Sequence, residues 1–267
     1  MRRTALAALC IAAAATAGLT GCQPGQDTAD SGTGVSSTSA APAKSSESAA
    51  KKDPFAGLSG GEIADRATKA TTGASSLRMK GDIPDDESGG TISLDVALNK
   101  KGECAGTIGM GGKGRAELIK TGNLVYMKFD EAFLREQSDG ESKSDTDAAV
   151  AMLAGKWTKT KATGADAKEF GDFCDLTTVL EGAEDTGSDA TRGKTTTVDG
   201  APAITLHEKD GKDRYTLYVA TEGKPYLLRV DSTAGADQGS VTFSDFDEPV
   251  PARKPVGEIL DLDALGG

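Results

Sequence analysis

Thr91-Ile92-Ser93-Leu94-Asp95-Val96-Ala97-Leu98 decides the fold. Ile92, Leu94, Val96 and Leu98 alternate with Thr91, Ser93, Asp95 and Ala97. A period of two is that of a strand with one buried face. The alternation continues through Cys104, Gly106, Ile108 and Met110, and Gly111-Gly112-Lys113-Gly114 ends it as a turn. Residues 116–120 read as the next strand, and Thr121-Gly122-Asn123 turns into a further strand over 124–129. Consecutive short strands joined by glycine turns predict an antiparallel meander.

Downstream, strand patterns return over residues 195–198, 203–206, 215–219, 226–230 and 241–246. Asp199-Gly200, Lys209-Asp210-Gly211 and Glu222-Gly223 separate them, and glycine takes positive φ there at no steric cost. Pro249, Pro251 and Pro255 end the sheet in an extended tail. Upstream, Ser59-Gly60-Gly61-Glu62 is a capping box, with Leu58 and Ile63 at the two staple positions. Ile63, Ala67 and Ala70 share one face, and Gly73 is the stop. The middle of the chain reads as helical. It holds one or two turns over residues 130–137, an exposed acidic loop over 138–147, and an Ala/Met/Leu-rich stretch over 146–154. A second box-like start at Asp166-Ala167-Lys168-Glu169 leads to Phe170, Phe173, Cys174 and Leu176 or Thr177 at helical spacing. The expected class is α+β: a curved antiparallel half-barrel sheet of about 10–11 strands wrapped around a few helices. Three short helices cover so large an apolar face poorly, which predicts a cavity.

The amino terminus carries a different signal. Arg2 and Arg3 precede an Ala/Leu-rich run that ends in Leu19-Thr20-Gly21-Cys22. Charged, apolar and small residues in that order read as a secretory signal peptide. The run is too short for a spanning helix of ~20 residues. Leu19-Thr20-Gly21-Cys22 resembles the bacterial lipobox, which implies cleavage before Cys22 and acylation of its thiol. Stable anchoring takes two or more acyl chains. The division is then residues 1–21 as lipoprotein signal peptide, 22–52 as a lipidated linker, and 53–267 as the half-barrel domain. Residues 23–52 are rich in Ser, Ala, Thr, Gly and Pro, too polar to order themselves.

Charge and composition exclude several classes. The net charge is −11 and becomes about −13 without Arg2 and Arg3, so no electrostatic footprint for nucleic acid exists. Aromatic residues are 4% with a single Trp157, which leaves few stacking platforms for sugars or bases. Cys10 leaves with the signal and Cys22 is the anchor, which leaves Cys104 and Cys174. Outside the cytoplasm an even pair most simply forms a disulfide, and two free buried thiols are the rival reading. The lone His207 cannot complete a metal site with them. No cofactor is expected.

Several segments resemble one family in their order. Val125-Tyr126-Met127-Lys128, Gly155-Lys156-Trp157-Thr158 and Leu217-Tyr218-Val219-Ala220 are three of them. The others are Gly223-Lys224-Pro225-Tyr226 and Val241-Thr242-Phe243-Ser244-Asp245-Phe246, the last followed by Glu248-Pro249-Val250. Together, over about residues 58–262, they resemble the LppX/LprG-type lipoproteins of actinobacteria, which share the LolA-like fold. That resemblance implies a half-open barrel whose hydrophobic cavity carries acyl chains of a lipid or glycolipid. Small residues on the strands (Ala97, Gly106, Ala116) either enlarge such a cavity or flatten a surface.

Competing motifs are weaker. Gly109-x-Gly111-x-x-Gly114 lies between two strands with no helix after it, so it is a hairpin and not a dinucleotide fingerprint. His207 lacks a nucleophile or an orienting partner and reads as solvated. Asp139, Glu141, Asp145 and Asp147 lack EF-hand spacing and read as a solvated loop. Trp157, Tyr126 and Tyr226 either line a cavity or pack a core. The reading is a non-enzymatic, membrane-anchored, extracytoplasmic lipoprotein. Its partners are a lipid or glycolipid, the membrane through Cys22, and an envelope protein or transporter. The expected cavity wall is Leu94, Val96, Ile108, Tyr126, Leu217 and Leu228. A protein-interaction or sensory module and an enzyme with an unrecognised site are the alternatives.

Overall fold

The computed structural model describes residues 53–85, 90–138, 140–162, 172–180, 189–210, 213–234 and 237–265. Cys22, the signal and linker segments, Asp139 and the box-like start at Asp166 lie outside the described residues. The strands are β1 (Ser76–Asp85), β2 (Gly90–Asn99), β3 (Cys104–Met110), β4 (Arg115–Thr121), β5 (Leu124–Phe129) and β6 (Trp157–Lys161). They continue as β7 (Thr191–Val198), β8 (Ala201–Asp210), β9 (Asp213–Ala220), β10 (Leu227–Ala234), β11 (Asp237–Ser244) and β12 (Ile259–Asp261). All twelve form one sheet in the order β12-β6-β5-β4-β3-β2-β1-β11-β10-β9-β8-β7. Pairing is antiparallel except that β12 runs parallel to β6. The sheet is open and wraps around α1 (Gly60–Gly73) and α4 (Leu176–Val179). Two more helices, α2 (Glu131–Gln137) and α3 (Lys143–Leu153), lie between β5 and β6, and α5 (Leu262–Leu265) follows β12.

The expected architecture is the observed one, with differences at identifiable places. β12 has three residues, too few to show a period. β6 alternates threonine with lysine, so it has no apolar signal. Part of the acidic loop is helix: the Ser142 hydroxyl accepts from the Asp145 backbone N–H at 3.2 Å and starts α3 at Lys143. None of the described α3 residues is fully buried, so its start has no apolar stripe to announce it.

Other local rules act as read. Ser59 caps α1 in a full capping box, and Leu58 packs in the same cluster as Ile63. Asp199 and Gly200 both take positive φ (48° and 86°), the requirement of a tight hairpin turn between β7 and β8. Gly81 has a packing role: a Cβ there would overlap the Ser240 carbonyl of β11. β1 and β11 join the two halves of the sheet, so this close approach shapes the seam.

Two ends follow from the register. The upper end holds the Asp85/Gly90 pair, Met110, Phe129, Trp157, Thr191 and the Asp210/Asp213 pair. The lower end holds Ser76, Asn99, Cys104, Lys161, Val198 and Ala201. Helix α1 spans the two. Its Gly60 lies against the Ala190 carbonyl, and Thr71 near its end accepts from the Leu227 N–H at 2.9 Å.

Candidate functional site

The inner, helix-covered face carries two separate apolar clusters. Over β7–β10, Phe55, Ile63, Ala64 and Ala67 pack on Ile204, Leu206 and Val219. Over β1–β5, Leu176 and Cys174 pack on Leu77, Val96, Leu98, Leu118 and Val125. Cys104 and Cys174 are joined by a disulfide with Cα atoms 5.2 Å apart, and this bond holds the segment bearing α4 against the sheet. The even pair of cysteines is therefore a bridge and not two free thiols.

Where the two clusters approach each other, at Val230 and Val241, the inner face is less covered. A row crosses the sheet by direct strand pairing: Leu217 to Val230, Val230 to Val241, Val241 to Gly81, Gly81 to Leu94, and Leu94 to Ile108. Leu217, Val230, Val241 and Ile108 are half-buried, and Leu94 is 8% exposed. Six strands at ~4.8 Å spacing make a row about 24 Å wide. Burial also falls towards the upper end along β1, β2, β3 and β9, whereas β4 and β8 stay buried as far as Ala116 and Glu208. On β1–β2, Leu77 is 1% and Val96 1% exposed, whereas Ile83 and Ile92 are only half-buried. On β8–β9 the apolar series ends in polar groups, buried Glu208 paired with half-buried Tyr215.

Four of the six expected wall residues lie on this face. Leu94, Ile108 and Leu217 are in the row, and Val96 is fully buried beside it in the first cluster. Tyr126 is a correction. Val125 and Met127 face the inner cluster, so the period of two puts Tyr126 on the outer face, where it is 3% exposed and pairs with Ile119. Leu228 falls at a register shift between Leu227 and Arg229, and it is Leu227 that packs in the second cluster. Sequence reasoning missed Met79, Val230, Val241 and Phe243 as face residues. Val241 and Phe243 alternate visibly, but Gly81 breaks the alternation of Met79 with Ile83. Of the small residues, Ala97 faces outward, whereas Gly106 and Ala116 face inward.

The outer face is polar and paired. The Arg78 Nε donates to Asp95 at 2.5 Å and holds its carboxyl below the usual range. Burial pushes the Asp231 carboxyl up, but donors from Arg229 (2.6 Å), Ser240 (2.8 Å) and Tyr218 (2.9 Å) outweigh it and hold the group low. The tail from β11 to β12 crosses this face. Pro249 and Val250 lie beside Arg78 and Ala97 across a cleft of about 450 Å³.

The lower end is clasped. Asp247 accepts from the Lys224 ammonium at 2.8 Å, the Tyr226 hydroxyl at 2.6 Å and the Ser75 N–H at 2.9 Å. Lys224 and Tyr226 together keep its carboxyl well below the usual carboxylate range. The Tyr226 ring stacks on Phe246, centroids 3.9 Å apart. Among the described residues no group of three or more His, Cys, Asp or Glu side chains could hold a metal. No described helix is long and apolar enough to cross a membrane.

An open antiparallel sheet wrapped on helices, with an apolar inner row, invites comparison with solved structures. The fold is similar to that of LprF. LprF from Mycobacterium bovis matches with a TM-score of 0.51 and 15% identity, over 74% of this chain and 97% of LprF. The lipoprotein LppX of Mycobacterium tuberculosis gives 0.46 and 16%, over 72% of this chain and 97% of LppX. A LolA superfamily protein of Nitrosomonas europaea gives 0.22 and 9%, over 74% and 96%. No protein-family model and no curated protein matches the chain. At such identities the likeness to LprF carries the fold alone.

Proposed function

We propose that the protein is an extracytoplasmic lipoprotein, anchored through acylated Cys22, that binds acyl chains of a lipid or glycolipid on the inner face of its sheet. The observation that carries the reading is the row Leu217–Val230–Val241–Leu94–Ile108, which runs from the edge of one cluster at Leu217 to the other at Leu94 and Ile108 and is half-buried at every position but Leu94. Apolar side chains in a sheet mouth suit apolar ligands. Each buried methylene contributes about 0.8 kcal/mol, so ten of them reach about 8 kcal/mol, the scale of a micromolar Kd. Glu208 and Tyr215 put polar groups where the row meets the upper end, suited to a headgroup with hydrogen-bonding atoms. Fold likeness to LprF agrees with this reading. Carriage is passive: no bond is made or broken, and the ligand passes to an envelope protein, a transporter or a second membrane.

The test is uptake of a fluorescent phospholipid by the mature chain and by two variants. Ile108→Asp with Leu217→Asp puts charge into half-buried row positions and should abolish uptake while circular dichroism stays native. Thr107→Lys, on the outer face between Asp95 and Glu117, should leave uptake unchanged. Full uptake by the folded double variant overturns the assignment of the wall.

A further inference from the structure

We infer that the open, upper end of the inner face is turned towards the membrane that holds the chain's own anchor. The inference rests on the reading of Cys22 as a lipid anchor and deepens it by assigning the surface that meets the bilayer.

Three observations carry it. First, the tether enters at the upper end and is pinned there. The Arg192 guanidinium donates to the Phe55 carbonyl at 2.7 Å, the Leu58 carbonyl at 3.0 Å and the Asp53 carboxylate at 2.7 Å. Phe55 itself is 4% exposed, inserted in the second cluster. Arg192 belongs to β7 next to Thr191, whose partner is His207 near the upper end of β8. The tether therefore begins at Asp53 at that end and nowhere else.

Second, over β1–β3 the same end is where the inner face opens, while over β7–β8 Phe55 and Ile63 cover it. Leu77, Leu98 and Cys104 at the lower end are at most 2% exposed, whereas Ile83, Ile92 and Met110 at the upper end are half-buried. The Asp247 clasp further ties β1, the turn before β10 and the tail together at the lower end.

Third, the lengths make entry point matter. Strands of ten residues stand about 33 Å tall. A coil of ~30 residues has a root-mean-square reach of about 30 Å. Entering at the upper end, it lets that end touch the bilayer freely. Bringing the lower end down instead spends the whole reach on passing the sheet. A ligand can thus move between row and bilayer without the domain turning over.

The carboxyl terminus supplies the control. β12 runs from Ile259 beside Trp157 towards the lower end, and Asp263 then accepts from the Lys161 N–H at 3.1 Å. Two forms of the mature chain with Cys22→Ser carry a hexahistidine tag. One has it before residue 22, the other after residue 267 through a second copy of residues 23–52. Both bind vesicles containing a nickel-chelating lipid. A fluorophore is placed at Lys113→Cys (upper end) or Asn123→Cys (lower end), and the vesicles contain a headgroup spin-labelled phospholipid as quencher.

With the amino-terminal tag, the label at 113 should be quenched at least twofold more than the label at 123. The carboxy-terminal tag should reverse the order. Equal quenching, or stronger quenching at 123 with the amino-terminal tag, overturns the inference. Uptake of a fluorescent phospholipid from the host vesicle should be several-fold faster with the amino-terminal tag, and equal rates count against the inference. The expected quenching order with no uptake from either form would uphold the orientation and defeat the lipid-carrying function.

Discussion

The two halves of the inner face solve one problem by different means. Over β7–β10 the cover is α1, a helix of 14 residues with a capping box, a staple and the Phe55 plug. Over β1–β5 the cover is the short segment around α4, whose helix has four residues. An isolated helix that short is not stable in water. The Cys104–Cys174 bond replaces helix length: it fixes the segment covalently, so Leu176 can be fully buried without a long amphipathic stripe. One half is held by what neighbours in sequence do to each other, the other by a closure across 70 residues. The difference leaves half-buried Val230 and Val241, in the middle of the row, as the part of the face that belongs to neither cluster.

Breaking the covalent half should have the largest effect. Cys104→Ser with Cys174→Ser should lower stability by about 4 kcal/mol on the chain-entropy estimate for a loop of that size. At about 2–4 °C per kcal/mol for a domain of this length, Tm should fall by roughly 10 °C. Hydrogen exchange should then rise first in β2–β5 and leave α1 protected. A uniform rise across both halves would show that the covers are not independent.

Breaking the helical half comes next. Ile63 is fully buried in the second cluster, and Ile63→Ala should cost about 3 kcal/mol through lost contacts and the cavity left behind. Here α1, β8 and β9 should lose protection first, the converse of the cysteine variant. Arg192→Ala is smaller, about 1 kcal/mol, because the guanidinium is partly solvated while two carbonyls lose a charged donor. Its signature should be local: faster proteolysis before Phe55 with Tm little changed.

The smallest effect belongs to the lower clasp and depends on pH. The Asp247 carboxyl is held below its ordinary value, so its stabilisation is present at neutral pH and lost as pH falls below about 4 through the folded value. Asp247→Asn should therefore melt slightly below the natural protein at pH 7 and converge with it in acid. A gap that widens as pH falls would mean that the clasp does not act through this charge.

Much of this was legible in the sequence, for physical reasons that also explain the misses. β2 reads cleanly because every second residue is apolar, and the helix from Ser59 reads cleanly because cap and staple are local. β6 and β12 were silent, since Thr-Lys alternation and three residues carry no apolar period. Tyr126 misled because an aromatic residue in an apolar strand looks like a wall residue. Only the phase set by Val125 and Met127 assigns its face, and its burial comes from the outer side. Leu228 has no face assigned by strand pairing, because the register shift between Leu227 and Arg229 interrupts the period of two there and a pattern of two leucines does not announce it. The row itself is half visible: Leu94, Ile108 and Leu217 can be named, but the link from Leu217 to the other two depends on β1 pairing with β11, a contact between the two ends of the sheet's sequence.

Native mass spectrometry of the mature chain, purified from the oxidising side of its host without added lipid, tests the central claim most directly. The account predicts a bound mass that extracts as lipid and disappears in the Ile108→Asp, Leu217→Asp variant. The mass of the protein alone, with no uptake when phospholipid is offered, would contradict it.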